Sequence, residues 1–205
     1  GNRNKKLVMQ STTFEQAFSE KANKLALIAL AAHLPVAIAV AAVFETGMTL
    51  AGLFSLAILA GPVGLFLSAR RSGLLPIAIG IAAVSFSALL IHLARGMIEM
   101  HFHIFASIAA LIALGSRASV LAACVTTAVH HISFFYLLPA SVFNYEASFG
   151  IVAVHAAFVV VAGAPAFYVA GRYRSFVRAQ ALISEQLGEI ASAVSEQTSR
   201  LGDSA

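Results

Sequence analysis

Seven histidines stand in this chain, His33, His92, His101, His103, His130, His131 and His155. All seven lie in apolar surroundings, as in EMHFHIFASIAALIAL (99–114), VHHISFFYLLPASVF (129–143) and FGIVAVHAAFVVV (149–161). A neutral imidazole offers a ring lone pair that ligates transition metals, directly or through haem iron. Ionisable groups are costly in hydrocarbon, so a set of them inside apolar runs reads by default as a functional site. The chemistry to look for is therefore metal or haem ligation, and the elements that carry the histidines decide which of them can share a ligand.

Those elements are membrane helices. The 205 residues are 60% hydrophobic and 11% charged, whereas soluble domains run near 45–50% apolar and about 25% charged. Apolar runs long enough to cross a bilayer fall at 25–44, 49–69, 74–94, 97–115, 118–138 and 149–170. The expected fold is all-α, a six-transmembrane helix bundle with an N-terminal interfacial helix and a C-terminal cytoplasmic coiled-coil helix. Pro35, Pro62, Pro76 and Pro165 lie in spans, where kinks are tolerated. The single Cys124 forms no intrachain disulfide and reads as a small core residue. The first apolar run is long enough to span, so no secretory signal peptide is expected.

The basic residues orient the bundle. Arg3, Lys5, Lys6, Lys21 and Lys24 precede the first span. Arg70, Arg71 and Arg117 sit in the second–third and fourth–fifth connections, and Arg172, Arg174, Arg178 and Arg200 follow the sixth span. Only Arg95 falls on the other side, so the positive-inside rule puts both termini in the cytoplasm. The sequence pI of about 9.6 thus reflects topology, and no nucleic-acid partner is expected.

With this orientation six histidines converge. His101 and His103 lie about 6–10 Å into the fourth span, His130 and His131 about 12 Å and His155 about 9 Å from the same face, at 1.5 Å rise per residue. His92 ends the third span on that face, while His33 lies nearer the middle of the first. Helical phase then sorts them: His101 and His103 differ by about 200° and face opposite ways, and His130 and His131 differ by about 100°. His101 is expected to face the bundle centre with His131 and His155. Glu99 is four residues from His103 and is expected to orient it as an outer carboxylate, and Arg95 is placed to pair with Glu99.

Haem b suits axial histidines on facing helices, with Arg95 meeting a propionate. On that reading His101, His103, His130, His131, His155 and Arg95 form the cofactor site. A bare copper or zinc ion is the alternative, drawing on His101, His131, His155, His130, His103, Glu99 and His92. The third possibility is a set of histidines that only hydrogen-bond across helices.

The ends differ from the spans. Residues 1–24 form a cytoplasmic segment in which 11–24 read as an amphipathic helix on the membrane surface, with Thr12 and Glu15 spaced as a capping box. Residues 25–170 are expected to form the six-helix transmembrane domain. From 171 onward the chain turns polar, and Ile183, Leu187, Ile190, Val194 and Leu201 follow a heptad seam interrupted at Gln197. This seam predicts a homodimer and a downstream cytoplasmic signalling module. It still runs at Ala205, and Gly1 stands in place of Met, so the expectation is a piece of a longer protein.

The three histidine segments quoted above resemble the six-helix membrane sensor region of certain methyl-accepting chemotaxis proteins, a region that also precedes some diguanylate cyclases. The resemblance covers roughly residues 20–205, and SEQLGEIASAVSEQTSRLGD is similar to the start of a chemoreceptor signalling helix. It implies a sensory transducer in a bacterial inner membrane, with metal or cofactor contact at His101, His130, His131 and His155. A membrane di-iron hydroxylase would want H-x-x-x-H or H-x-x-H-H boxes, which H-F-H and H-H-I-S do not match. A transporter would want polar residues through the inner half, which is apolar apart from His33 and scattered hydroxyls. The expectation is accordingly a receptor and not an enzyme.

Overall fold

The computed structural model describes residues 2–203, with side chains from Phe14 onward. Its α-helices are α1 (Asn2–Val43), α2 (Met48–Ala69), α3 (Leu74–Leu93), α4 (Phe102–Leu111), α5 (Arg117–Leu137) and α6 (Phe149–Gly202). Three short 3-10 turns accompany them at Ile98–His101, Ile112–Leu114 and Pro139–Ser141. No strand occurs among the described residues. Five helices are long and apolar enough to cross a membrane.

Two elements differ from the sequence expectation. The fourth apolar run, Ile98–Leu114, is shorter than a full span and is α-helical only over Phe102–Leu111. Its 3-10 ends rise about 2.0 Å per residue against 1.5 Å in an α-helix. They stretch the run to about 29 Å, close to the ~30 Å of a bilayer core. The N-terminal segment is the second difference. Helix α1 runs unbroken from Asn2 to Val43, so residues 11–24 are part of the first long helix and no separate helix starts at Thr12. The Thr12 side chain lies outside the described residues.

Proline positions follow the backbone chemistry. Pro35, Pro62 and Pro165 sit inside α1, α2 and α6. Pro76 falls in the first turn of α3, where a missing N–H leaves no helix hydrogen bond unmade.

Helix α3 is the central post. Its most apolar window is 61% buried, against 22% for each of the other long helices, and it packs against α1, α2, α4 and α5. Gly80 lets α5 approach it. A Cβ there would collide with the Ser119 carbonyl oxygen and lie 3.0 Å from its carbonyl carbon. Helix α5 begins at a Ser116 N-cap whose hydroxyl accepts from Ser119 N–H at 3.2 Å.

One end of the bundle, the histidine end, gathers the α1–α2 turn, the α3–α4 loop and the 138–148 loop. Thr46 Oγ1 donates to the Leu93 carbonyl at 2.9 Å, and Arg95 Nη2 donates to the Phe44 carbonyl at 2.8 Å. Asn144 N–H donates to the Gly96 carbonyl at 3.1 Å. The opposite, tail end carries Arg70, Arg71 and Arg117, and there Arg174 and Arg178 both reach Glu15.

Candidate metal centre

Three helical segments bring His101, His131 and His155 together. His101 closes the 3-10 turn before α4, His131 stands in α5 and His155 in α6. Their ring centroids are 5.3–5.5 Å apart in all three pairings. One ring nitrogen from each lies within 4.8 Å of the others.

The backbone fixes which nitrogen is free. Helical side chains lean toward the preceding turn, which puts each Nδ1 over the carbonyl four residues back. The Nδ1 atoms of His101, His131 and His155 lie 3.3, 3.0 and 2.9 Å from the carbonyls of Met97, Thr127 and Ile151. A carbonyl only accepts, so each Nδ1 carries the proton and each neutral Nε2 presents a lone pair. Nε2 of His101 and of His131 are buried with no hydrogen-bond partner. An unmet buried polar atom costs about 1–3 kcal/mol. Three lone pairs cannot satisfy one another. A metal cation is one partner able to meet all three.

The donor set fits a metal ion. Tetrahedral or trigonal ligation at 2.0–2.1 Å from each nitrogen needs N···N separations of about 3.4 Å, so the triangle has to close by at most about 1.4 Å. The Nδ1–carbonyl bonds are the outer contacts that ligating histidines normally make.

A fourth residue covers the group. The Phe143 ring is only 3% exposed. It stacks on His101 at 6.0 Å and meets the His155 ring edgewise at 5.2 Å and that of His131 at 6.4 Å. Phe143 reaches this position because the 138–148 loop docks on Gly96. Gly96 has φ +75, and a Cβ there would lie 2.7 Å from the Phe143 carbonyl carbon and 2.9 Å from the Asn144 nitrogen. Neither Phe143 nor Gly96 was expected from sequence. A glycine directly after Arg95, between two apolar runs, was the available signal.

His103 belongs elsewhere, as its phase difference from His101 requires. Its Nε2 is 3.0 Å from His33 Nε2, and its Nδ1 is 2.8 Å from Ser87 Oγ and 3.4 Å from Ser107 Oγ. His33 Nδ1 donates to the Ala29 carbonyl at 2.7 Å. The His33 bond fixes the tautomer of His103 in the neutral pair. His103 Nε2–H donates to His33 Nε2, and His103 Nδ1 accepts from a hydroxyl of the Ser87–Ser107 pair, Ser87 also reaching the Ala83 carbonyl at 3.2 Å. Every ring nitrogen of this pair has a partner, leaving no lone pair for a metal. His33, expected to stand apart from the other six, is thus tied to one of them.

The remaining candidates lie around these two groups. His130 packs on Phe134 at 4.7 Å and lies 5.2 Å from the His131 ring. His92 is exposed, with Nδ1 2.6 Å from Ser141 Oγ. Glu99 is exposed, and His103 takes its bonds from His33, Ser87 and Ser107 instead. The physical reason is the 3-10 turn Ile98–His101, whose tighter winding carries Glu99 off the face that four-residue α-helical spacing assumes. Arg95 lines a cavity at the histidine end with His92 and Glu146.

Beside the three-histidine group runs an almost wholly apolar groove of about 720 Å³ between α5 and α6, reaching His131 and His155. Its walls include Cys124 and Gly163. The chain matches no family model, no curated protein and no solved structure. Its functional reading rests on the geometry above.

Proposed function

We propose that this chain is the membrane-embedded sensory domain of a signal transducer, with six spans, and that it binds a metal ion through His101, His131 and His155. The observation that carries the reading is the convergence of three imidazoles, each with its Nδ1 held by a backbone carbonyl, two of whose Nε2 atoms, on His101 and His131, are buried with no hydrogen-bond partner. Imidazole suits copper and zinc, and among the divalent ions copper heads the affinity order for such sites. The three ligands are neutral and the nearby Glu99 is exposed. Burying net charge is costly, so monovalent copper is favoured over divalent zinc.

The six apolar segments and the twelve basic residues on one side support a multi-pass protein of a bacterial inner membrane with both termini cytoplasmic. Signalling is supported by α6, which carries His155 and then runs on as one helix through the exposed seam of Ile183, Leu187, Ile190 and Val194. The proposed partner on that seam is a second copy of the chain, and the proposed output is a cytoplasmic signalling domain of the chemotaxis type. The role is that of a receptor; no catalytic step is assigned.

Haem b is the second reading. The observation in its favour is the apolar groove of about 720 Å³ beside His131 and His155. Against it, three nitrogens converge on one point, where haem iron takes two axial ligands from opposite faces. Elemental analysis and an optical spectrum of the purified protein separate the two. The metal reading expects about one copper or zinc per chain and no Soret band. A Soret band with stoichiometric iron contradicts it, and so does a chain free of all transition metal after purification and reloading.

A further inference from the structure

A second cavity, of about 490 Å³, lies away from the three-histidine group, between α1, α3, α4 and the Tyr173 turn of α6. Its volume falls within the roughly 300–1,000 Å³ of small-molecule sites. Alanines and leucines make most of its wall. Leu25, Ala29, Ala110 and Ala113 on that wall are exposed, so the cavity opens on the side of the bundle.

Its polar groups sit at two ends. Lys21 stands at the tail end, beside Phe18 and Tyr173. His33 and Ser107 stand at the other, about 18 Å away along the twelve residues of α1 that separate Lys21 from His33. Both ring nitrogens of His33 are taken, by the Ala29 carbonyl and by His103. Ser107 is different. It is only 9% exposed, and its Oγ is 3.4 Å from Ser87 Oγ and 3.4 Å from His103 Nδ1, with no other hydrogen bond among the described residues. Hydroxyl bonds run at 2.5–3.0 Å, and His103 Nδ1 already has Ser87 Oγ at 2.8 Å. Ser107 is thus a buried donor without a close acceptor, on the wall of an apolar cavity.

We propose that this cavity binds a neutral lipophilic carbonyl compound, its carbonyl oxygen accepting from the Ser107 hydroxyl and its apolar body lying between α1 and α4. The chemistry follows from what the site lacks. An ionised head beside Ser107 would be buried without a counter-charge, since Lys21 is too far away to meet it. An alcohol or amide brings a donor of its own, and the nearby acceptors, His33 Nε2 and His103 Nδ1, are already met. A carbonyl accepts and donates nothing. Such a solute dissolves in a bilayer and enters from the open side. Phe18 and Tyr173, whose edge contact holds α6 to α1, form the far wall, so the occupant touches that contact. The site shares no residue with the three-histidine centre and does not rest on the metal reading.

The carbonyl can come from a quinone ring or from an acyl ester, and two probes separate these sources, a decyl-substituted benzoquinone and the ethyl ester of decanoic acid. Saturable binding above micelle partition is measured by calorimetry on the full chain in detergent. At least one probe is expected to bind at about one per chain, and which one binds names the source. Ser107→Ala is expected to weaken that binding about tenfold, the worth of one hydrogen bond, and Ala110→Phe to abolish it by filling the cavity. Ala109→Phe puts the same ring on α4 outside the cavity and is expected to bind as the unaltered chain does, as is His131→Ala at the other groove. Failure of both probes to bind overturns the proposal, as does binding that Ser107→Ala and Ala110→Phe leave intact. Loss in Ala109→Phe equal to that in Ala110→Phe, or loss in His131→Ala alone, also overturns it. So does binding of decanoate anion in place of the neutral probes, lost in Lys21→Gln, which would put the head at the tail end.

Discussion

At the scale of the residue, the seven histidines differ by what their Nδ1 atoms do. In His101, His131 and His155 a backbone carbonyl takes the Nδ1 proton and leaves Nε2 open toward the other two rings. In His33 the same kind of bond leaves an Nε2 that His103 then fills. The first group is short of donors, and the second is complete. His103→Ala is thus expected to cost packing and hydrogen bonds but to leave metal binding in place. His131→Ala is expected to weaken binding by at least about 100-fold, since even outer contacts of metal ligands are worth 10–100-fold. Comparable losses of affinity in the two variants, read by metal titration, would show that the grouping is wrong. Gly96 acts at one remove. Its φ of +75 and its contact with the Phe143 and Asn144 backbone leave no place for a side chain. Gly96→Ala is expected to destabilise by roughly 1–3 kcal/mol, and by lifting Phe143 to expose a bound ion to chelators. A variant whose ion is as protected as in the unaltered chain would remove Phe143 from the account.

Elements show what the sequence made legible and where it fell short. The long apolar helices were legible because a run of that length and composition has few other forms, and α2, α3 and α5 begin and end within a few residues of the expected edges. The association of His101 with His131 and His155 was legible from depth and phase, two numbers that a rigid helix supplies. Helix α4 was not, because nothing in its composition distinguishes a 3-10 turn from an α-helical one. That local change of pitch is also what turned Glu99 away from His103. The pairing of His33 with His103 depends on how α1 leans on α3, which depth alone cannot give. Close helix approach was foreseeable only in kind, from the abundance of Gly and Ala. The structure assigns it to Gly80, against the Ser119 backbone carbonyl. Gly80→Ala is expected to push α3 and α5 apart at a cost of about 1–3 kcal/mol, whereas Gly64→Ala, with nothing within 4 Å of its new Cβ, is expected to be neutral or slightly stabilising. Thermal unfolding of the two variants checks this, and equal destabilisation would refute the assignment of the α3–α5 contact to Gly80.

For the whole molecule the connecting part is α6. It carries His155 near its start and the seam near its end, 54 residues in one helix, about 80 Å long at 1.5 Å per residue. Near the tail end of the bundle it is held to α1 by Arg174 and Arg178 on Glu15, at 3.2 and 3.1 Å, and by Phe18 against Tyr173 at 5.6 Å. Glu15 and Arg174 are half-buried and Arg178 is exposed, and ion pairs near the surface contribute about 0–1 kcal/mol each, so this clamp biases the position of α6 without locking it. Beyond it, Leu187 and Val194 are 61% and 57% exposed, which is costly for a helix in water unless another chain covers the seam. In a Cys124→Ala background, Leu187→Cys and Val194→Cys are expected to form interchain disulfides much faster than Glu189→Cys, which lies about 200° around the helix from position 187. Equal rates at all three positions would mean that the seam does not pair.

The central claim is that His101, His131 and His155 together hold one metal ion, and X-ray absorption at the metal edge of the copper-loaded or zinc-loaded protein addresses it most directly. The expected spectrum shows imidazole scattering from about three nitrogens near 2.0 Å, falling to two in His131→Ala and unchanged in His103→Ala. A first shell without imidazole scattering, or one that His131→Ala leaves intact, would contradict the account.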